Sequence, residues 1–342
     1  MNYILKNENA IYYECGYSCD NAIFLRLGSE AFFITDGRYE IEAKEYAQNT
    51  TVLVDRDIIK AANELLKSSK SIQKLIFDPH EWSVADFSKL SVGYNDIFHQ
   101  DPDFSRKKRI VKTGQEIDKL SQAAKLGANA FDNFISKIDV DLIGLDELTL
   151  TYLAKEQLSY SGLYELSFDP IVAINSNAAK PHARPTNDVL KYKDLLLIDA
   201  GLKFERYCSD RTRTICINDQ MQSSTNQQFN SAKLQRLYDI VRNAHDEAIS
   251  QLRSGMKAFE IDAIARDIIT RSGHGEYFVH STGHGVGLDI HELPVISSKS
   301  DVIIEDGMVF TIEPGIYLPG EFGVRIEDTV VMKDGKAEIL GA

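Results

Sequence analysis

Residues 194–217 read DLLLIDAGLKFERYCSDRTRTICI. The apolar run that ends at Asp199 predicts a strand, and the alternating residues on both sides of Asp210 predict a hairpin. An acidic residue at the end of an apolar strand lies at a sheet edge or faces a concave surface, since the strand interior is buried. This stretch therefore predicts two carboxylates that a strand and its hairpin bring together.

A similar stretch occurs near the C-terminus. Residues 308–317 read MVFTIEPGIY and align by residue type with residues 194–203, which places Glu313 over Asp199. Glu327 follows in VRIEDTVV, so this half also offers two carboxylates. The repeat predicts an internal duplication in which two halves pack around a pseudo-two-fold axis and four carboxylates meet.

Helical patterns precede each of these stretches. GQEIDKLSQAAKLGANAFDNFISKI (114–138) and DELTLTYLAKEQLSYSG (146–162) come before the first, with Asp146 as the predicted N-cap of the second helix. SAKLQRLYDIVRNAHDEAISQLRSG (231–255) and AFEIDAIARDIITRSG (258–273) come before the second. Each half is thus predicted to run helix, helix, strand, hairpin.

The first part of the chain follows a different pattern. β-Rich runs such as AIFLRL (22–27) alternate with helical segments such as DIIKAANELLKSSK (57–70), which predicts a small α/β domain. DPDFSRKKRIVKTG (101–114) contains proline, glycine and charges and predicts the boundary. We predict an α/β (α+β) protein with domains at residues 1–112 and 113–342.

Composition excludes several classes of partner. The net charge of −13, from 51 acidic and 38 basic residues, argues against nucleic acid, because phosphate binding needs a basic face. No apolar run has the length of a membrane span, and the N-terminus lacks the pattern of a signal peptide. The four cysteines are too few and too scattered for a disulfide scaffold. We expect a cytoplasmic protein with buried, reduced cysteines.

The predicted cluster of carboxylates favours a metal site. Carboxylates that are packed together repel one another and are costly to bury as charges, so two divalent cations would neutralise them. VHSTGHGVGLDIHE (279–292) supplies histidines as further ligands. Gly283, Gly285 and Gly287 surround His284, and we expect them to let backbone and substrate approach it.

These motifs in this order, from LLLIDAG and SDRTRT through HSTGHGVGLDIHE to TIEPGIY and VRIEDT, resemble those of the pita-bread metallopeptidases. That family includes aminopeptidase P, prolidase and methionine aminopeptidase. PHARPT (181–186) is similar to its substrate-side histidine motif. TDGRYEIEA (35–43) is similar to the first domain of the prolidase and aminopeptidase P branch, which methionine aminopeptidases lack. The resemblance implies a small creatinase-type N-terminal α/β domain, a C-terminal pita-bread domain with duplicated halves, and a homodimer.

The resemblance also implies a set of metal ligands. Asp199 would chelate one divalent ion, Asp210 and Glu327 would bridge two ions, and His284 and Glu313 would complete the second. Carboxylates with one imidazole form a hard, oxygen-rich set, which favours Mn²⁺ over thiolate-loving ions, with Co²⁺ or Zn²⁺ as substitutes.

Other residues near this set are expected to act on the substrate. His291 would hydrogen-bond the peptide and stabilise the tetrahedral intermediate, while His182 would act near the leaving group. His280 would assist the substrate, and Glu313 would carry a proton to the leaving nitrogen.

Arg325 and Tyr317 are expected beside the metal ligands. Arg325 is two residues from Glu327, so strand alternation turns both to one face, and Arg325 would orient Glu327 or Asp210. Tyr317 follows Glu313 in TIEPGIY and would line the pocket.

We hypothesise a dinuclear-metal peptidase that hydrolyses the Xaa-Pro bond at the N-terminus of peptides with a hydroxide that bridges the metals. The alternative is a prolidase restricted to Xaa-Pro dipeptides, for which Arg184 is a candidate carboxylate clamp. Two further alternatives are a metal-free enzyme of the creatine-hydrolysing branch and a non-enzymatic pita-bread binding module. All five ligand positions keep liganding residues, which argues against both.

Overall fold

The computed structural model describes residues 1–69, 72–94, 96–138, 142–218 and 221–341. The chain divides into two compact units, Met1–Arg109 and Ile110–Ala342. Separate clusters of buried apolar side chains lie inside each unit, as expected of independently packed domains. Domains at 1–112 and 113–342 remain our proposal.

The first unit is a six-stranded mixed sheet with short helices. Its strands lie in the order β4–β3–β2–β1–β5–β6, where β1, β2 and β3 pair antiparallel and the outer pairs are parallel. Trp82, the only tryptophan of the chain, is buried in an apolar cluster of this unit. The elements are β1 (Asn2–Leu5), α1 (Glu8–Cys15), β2 (Ala22–Leu27), β3 (Glu30–Thr35), α2 (Glu40–Tyr46), β4 (Thr51–Val54), α3 (Ile58–Ser68), β5 (Leu75–Phe77), α4 (Val84–Leu90), β6 (Phe98–Gln100) and α5 (Phe104–Lys108).

The second unit repeats the predicted order of two helices followed by strands. Its first half contains α6 (Gly114–Lys137), α7 (Glu147–Leu158), β7 (Ile171–Ile174), β8 (Leu195–Ala200), β9 (Lys203–Phe204), β10 (Tyr207–Cys208) and β11 (Arg211–Cys216). Its second half contains α8 (Ala232–Gln251), α9 (Ala258–Arg271), β12 (Gly283–Gly285), β13 (Glu292–Ile296), β14 (Val309–Ile312), β15 (Gly315–Leu318), β16 (Phe322–Arg325), β17 (Asp328–Lys333) and β18 (Lys336–Ile339).

The predicted helices of this unit are confirmed, and capping explains where they begin. Thr113 Oγ1 accepts a hydrogen bond from the backbone amide of Glu116, and the carboxylate of Glu116 accepts one from the amide of Thr113, which forms a capping box at α6. Asp146 caps α7 by accepting from the amide of Thr149, as predicted.

Two sheets of this unit meet where the acidic motifs lie. One has the order β11–β8–β7 and the other β13–β12–β14–β17–β18. An antiparallel bridge between Thr212 and Glu327 links them, and the amide of Glu327 donates to the carbonyl of Thr212 at 3.1 Å. The motifs of the two halves are therefore adjacent.

The C-terminal strands differ from the prediction. The stretches that contain MVFTIEPGIY and VRIEDTVV, predicted as the strand and hairpin of the second half, each divide into two strands that belong to different sheets. The first breaks at Pro314, which has no amide to donate to a ladder. The second breaks between Arg325 and Asp328. Glu313 and Glu327 lie in these breaks, where the backbone turns away from the sheet.

The four cysteines are buried and free of disulfides, as predicted. Burial is the main cause that raises the pKa of Cys208 to about 12, so its thiol stays protonated. Across the described residues, no helix has the length and apolar character that a membrane crossing requires.

Candidate metal centre

The second unit contains a cavity of about 590 Å³ that brings the predicted site residues together. Acidic and histidine side chains lie at one wall, and apolar side chains such as Phe168, Val279 and Val295 form the rest of its lining. The predicted residues that line it are His182, Asp199, Asp210, His280, His284, His291, Glu313, Arg325 and Glu327.

His284 lies at the centre of the acidic wall. Its Nε2 is 3.6 Å from Asp210 Oδ2 and 3.5 Å from Glu313 Oε1, and ligand atoms of Asp210, His284 and Glu327 lie within 4.8 Å of one another. Its Nδ1 is 3.0 Å from the carbonyl oxygen of Gly285, which only a protonated Nδ1 can donate to. The lone pair of Nε2 therefore faces the carboxylates, as a metal-binding histidine requires.

Two threonines hold the glutamates in place. Thr212 Oγ1 donates to Glu327 Oε2 at 2.6 Å, and Thr311 Oγ1 donates to Glu313 Oε1 at 3.4 Å. Neither threonine was predicted from the sequence. Thr311 stands two residues before Glu313, and this spacing was a usable signal because alternate residues of an extended segment share a face.

Arg325 contacts a different carboxylate from the ones expected. Its Nη2 donates to Asp199 Oδ2 at 2.6 Å, whereas the prediction gave Glu327 or Asp210 as the partner. The direct contact goes to Asp199 because Arg325 ends β16, and β16 lies against β8, which carries Asp199. Arg325 reaches the predicted partner Glu327 only through Thr212, to which its Nε donates. The guanidinium therefore fixes the first carboxylate of the cluster.

A hydrogen-bonded chain extends from Arg325 to His280. Arg325 Nη1 donates to the hydroxyl of Tyr317 at 2.8 Å, and that hydroxyl is 2.9 Å from His280 Nε2. His280 Nδ1 is 2.8 Å from the carbonyl oxygen of Ser281, so Nδ1 carries the proton and Nε2 accepts from Tyr317. Burial and the nearby guanidinium lower the pKa of His280 to about 4, which keeps its ring neutral.

The other two histidines lie nearer the opening of the cavity. The ring of His291 meets that of His284 edge to face, with 4.4 Å between the ring centroids. His182 is exposed on the loop after β7. Arg184, the candidate carboxylate clamp, is exposed on the same loop and is not among the described residues that line the cavity.

Electrostatics favour a cation at this wall. Burial, followed by repulsion from neighbouring carboxylates, raises the pKa of Asp210 and Glu327 well above their ordinary values. Burial also raises the pKa of Glu313 to about 7. Burial lowers the pKa of His284 to about 4, so the imidazole is neutral and able to ligate.

The donor atoms fit divalent metal ions. Asp199 Oδ1 is buried and has no hydrogen-bond partner in the part of the chain that the structure describes, although its other oxygen is held by Arg325. An orphaned carboxylate oxygen, carboxylates with raised pKa values and an imidazole lone pair are what a bound divalent cation would satisfy. The residues form an acidic and histidine cluster of the kind that holds a dinuclear metal site.

The glycines of this segment make room for the protein itself. A Cβ at Gly283 would lie 1.8 Å from the carbonyl oxygen of Thr311, and one at Gly285 would lie 2.1 Å from that of Leu293. The expected approach of backbone to this segment is confirmed, since β12 can lie between β13 and β14 only without these side chains. Approach of a substrate remains a prediction.

Known proteins share this fold and these motifs. The model of metallopeptidase family M24 matches residues 118–334. The Xaa-Pro dipeptidase of Lactobacillus delbrueckii subsp. lactis is 37% identical over 282 residues, which cover 81% of this chain and 73% of that protein. An Xaa-Pro dipeptidase structure from Bacillus anthracis has a TM-score of 0.90 and 33% identity, covering 99% of this chain and 92% of that one. An X-Pro aminopeptidase structure from Thermotoga maritima MSB8 has a TM-score of 0.85 and 31% identity, covering 100% and 95%.

These matches confirm the resemblance drawn from the motifs, including the pita-bread fold and its preceding α/β unit. They also argue against a non-enzymatic binding module, because the matched relatives are peptidases over most of this chain's length. The chain belongs to metallopeptidase family M24, in its Xaa-Pro peptidase branch.

Proposed function

We propose that the chain is an Xaa-Pro dipeptidase that works with two divalent metal ions. The observation that carries this proposal is the convergence in one cavity of four carboxylates and the Nε2 of His284. The dipeptide substrate is supported by the names of similar proteins, since Xaa-Pro dipeptidases are among both the sequence relatives and the structural neighbours. This proposal favours the prolidase alternative over the aminopeptidase hypothesis of the sequence analysis.

The ligand roles in this proposal are those implied by the motifs. Asp199 would chelate one ion, Asp210 and Glu327 would bridge both, and His284 and Glu313 would complete the second. Because four of the five ligands are carboxylates, we propose Mn²⁺ as the native metal. A homodimer and a cytoplasmic location stay predictions.

Bound metal ions would polarise the scissile carbonyl and lower the pKa of a water molecule so that it can act as the nucleophile. The protein side chains supply the remaining steps. Glu313 would take the proton of the water and pass it to the proline nitrogen, which must gain one proton to leave. His291 would donate to the oxyanion, and His182 would hold the substrate near the leaving group.

An Xaa-Pro aminopeptidase is the second candidate function. A prolidase needs a cation for the free carboxylate of its dipeptide, yet Arg325 is the only lysine or arginine among the described residues that line the cavity. Its guanidinium is already bonded to Asp199 and Tyr317. This observation favours a longer peptide whose C-terminus lies outside the cavity.

Substrate length separates the two candidates. The protein would be stripped with a chelator, reloaded with Mn²⁺, and given a matched Xaa-Pro dipeptide and Xaa-Pro-Yaa tripeptide. We expect metal-dependent hydrolysis of the dipeptide alone. Cleavage of the tripeptide would establish the aminopeptidase instead, and failure on both with metal bound would contradict the proline-specific assignment.

A pair of variants tests the metal assignment in the same assay. Asp210→Asn should lose both activity and bound Mn²⁺, measured by elemental analysis. Asp267→Asn, which changes an exposed aspartate of α9, should keep both. Full metal content and turnover in Asp210→Asn would contradict the bridging role of Asp210.

A further inference from the structure

Glu147 is a buried carboxylate that no part of the proposed chemistry uses. Its side chain is 0% exposed, and it accepts four hydrogen bonds. Oε1 accepts from the amide of Ile174 at 2.6 Å. Oε2 accepts from Asn177 Nδ2 at 2.8 Å, from the amide of Thr186 at 2.6 Å and from Thr186 Oγ1 at 2.8 Å. Every donor comes from the segment between residues 174 and 186.

Hydrogen-bond donors, and no direct ion pair among the described residues, surround the carboxylate of Glu147. Lys180 is one step away in this network, because its Nζ donates to Asn177 Oδ1 at 2.9 Å. Glu147 is the first residue of α7, where the helix dipole favours a negative charge, and its four donors replace the hydration that burial removes. A carboxylate in this setting is stabilised only while its donors stay in place, so the segment and the carboxylate fix each other.

The segment held by Glu147 is the loop that carries His182. Asn177 precedes His182 by five residues and Thr186 follows it by four. Glu147 Oε2 therefore accepts hydrogen bonds from both ends of the loop. Asn177 Nδ2 also donates to the carbonyl oxygen of Arg184 at 2.9 Å. Residues 181–186 belong to no helix or strand, so these side-chain hydrogen bonds replace the regular ladders that fix other segments.

The loop that Glu147 holds, residues 177–186, reaches the cavity. Pro181 and His182 line it, and the carbonyl oxygen of Pro181 accepts from Arg325 Nη1 at 3.3 Å. Glu147 itself does not line the cavity. Its influence on that side of the cavity therefore passes through the loop.

We propose that Glu147 is a positioning residue that sets the place of His182, and through it the binding of the substrate. This inference rests on the proposed substrate role of His182. The side-chain hydrogen bonds of Glu147 all go to the segment between residues 174 and 186 and none to a proposed metal ligand. A change at Glu147 therefore alters substrate handling while metal content stays the same.

Glu147→Gln tests the proposal with little change of shape. An amide has one acceptor oxygen, so its NH₂ group must face at least one of the four present donors. We expect kcat/KM to fall roughly 10- to 100-fold, with full Mn²⁺ content and faster amide hydrogen exchange in residues 175–188. Glu156→Gln, at an exposed position of the same helix, is the matched control and should change none of these.

A double-mutant cycle separates positioning from general damage. If Glu147 acts through His182, Glu147→Gln should reduce kcat/KM less than about threefold in a His182→Ala background. The same full loss in both backgrounds would overturn the proposal. Thr186→Val removes one donor and keeps the carboxylate, so it should show a smaller loss of the same kind even if Glu147→Gln folds poorly.

Hydrogen exchange keeps this proposal distinct from the proposed function. Absence of Xaa-Pro hydrolysis by the wild-type protein would contradict the function, whatever the variants do. Unchanged exchange of residues 175–188 in both Glu147→Gln and Thr186→Val would contradict the role of Glu147, even in a fully active peptidase.

Discussion

Arg325 joins more parts of the candidate metal centre than any other side chain described above. Arg325 is 3% exposed, and its guanidinium donates to Asp199, Tyr317, the carbonyl oxygen of Pro181 and, through Nε, to Thr212 Oγ1 at 3.1 Å. Only a planar fork with several donors can bond in these directions at once. A charge alone at this position would not hold the same partners.

Replacing Arg325 with lysine keeps the charge and removes the fork. We expect Arg325→Lys to lower metal affinity or kcat/KM roughly 10- to 100-fold, because Asp199 loses its fixed orientation. Titration with Mn²⁺ and steady-state kinetics would measure both. Arg271→Lys, at an exposed arginine of α9, is the control and should be neutral. Unchanged metal affinity and kinetics in Arg325→Lys would show that charge alone suffices.

The sequence points to the proposed ligands of the centre more readily than to the residues that support them. Asp199, Glu313 and His284 stand in local patterns of apolar runs and glycines, which a reader of the sequence can recognise. The contact of Arg325 with Asp199 and the contacts of Glu147 with its donors join residues that are far apart in sequence. Glu147 and Thr186, for example, are separated by 39 positions. No periodicity encodes such contacts, so they could not be predicted.

At the level of elements, the close packing of β12 determines where His284 lies. Gly283→Ala would place a Cβ 1.8 Å from the carbonyl oxygen of Thr311, and neither atom can move without separating β12 from that backbone. We expect a loss of about 1–3 kcal/mol in the free energy of unfolding and weaker Mn²⁺ binding. Chemical denaturation and metal titration would measure these.

A matched glycine variant shows whether the effect is steric. Gly114→Ala adds the same methyl group at the first position of α6, where nothing lies within 4 Å of the new Cβ. It should be neutral or slightly stabilising, because alanine favours a helix. An equal loss of stability in both variants would contradict the argument from close packing.

Helices and strands of this chain differ in how well the sequence predicts them. Helix α6 has its own apolar periodicity and its own capping box, so its bounds follow from local residues. Strands β12 and β13 contain glycines, a histidine and a proline with little alternation, and they were not predicted. β12 is a strand because it pairs with β13 and β14, and β13 is a strand because it pairs with β12. The partners lie elsewhere in the chain, so local sequence does not reveal them.

For the molecule as a whole, the acidic wall makes stability depend on metal and pH together. Raised pKa values of Asp210, Glu313 and Glu327 mean that the folded, metal-stripped protein binds more protons than the unfolded chain. The stability that these extra protons provide is fully present below the pKa of a carboxyl in the unfolded chain. It is lost as pH rises through the pKa of the same group in the folded protein, which is about 7 for Glu313. At higher pH, bound divalent cations would neutralise these carboxylates in place of the protons that they have lost.

We therefore expect chelator-treated protein to lose stability between pH 5 and pH 8, by about 1.4 kcal/mol per pH unit for each proton released. As pH rises, the unfolding temperature of the Mn²⁺-loaded protein should fall less than that of the chelator-treated protein. The difference between the two unfolding temperatures should therefore widen with pH. Thermal unfolding at several pH values would measure it. Glu313→Gln should reduce the slope of the stripped protein, and a gap that stays constant with pH would contradict this account.

The link between the two acidic motifs also has a consequence for synthesis on the ribosome. Thr212 and Glu327 are 115 residues apart in sequence, so the first motif is translated on the order of 10 s before the second. During that interval the nascent chain gains His284 and then Glu313, but it lacks Glu327 until the end. Tight metal uptake would then wait until Glu327 has been translated and its carboxylate has met Thr212.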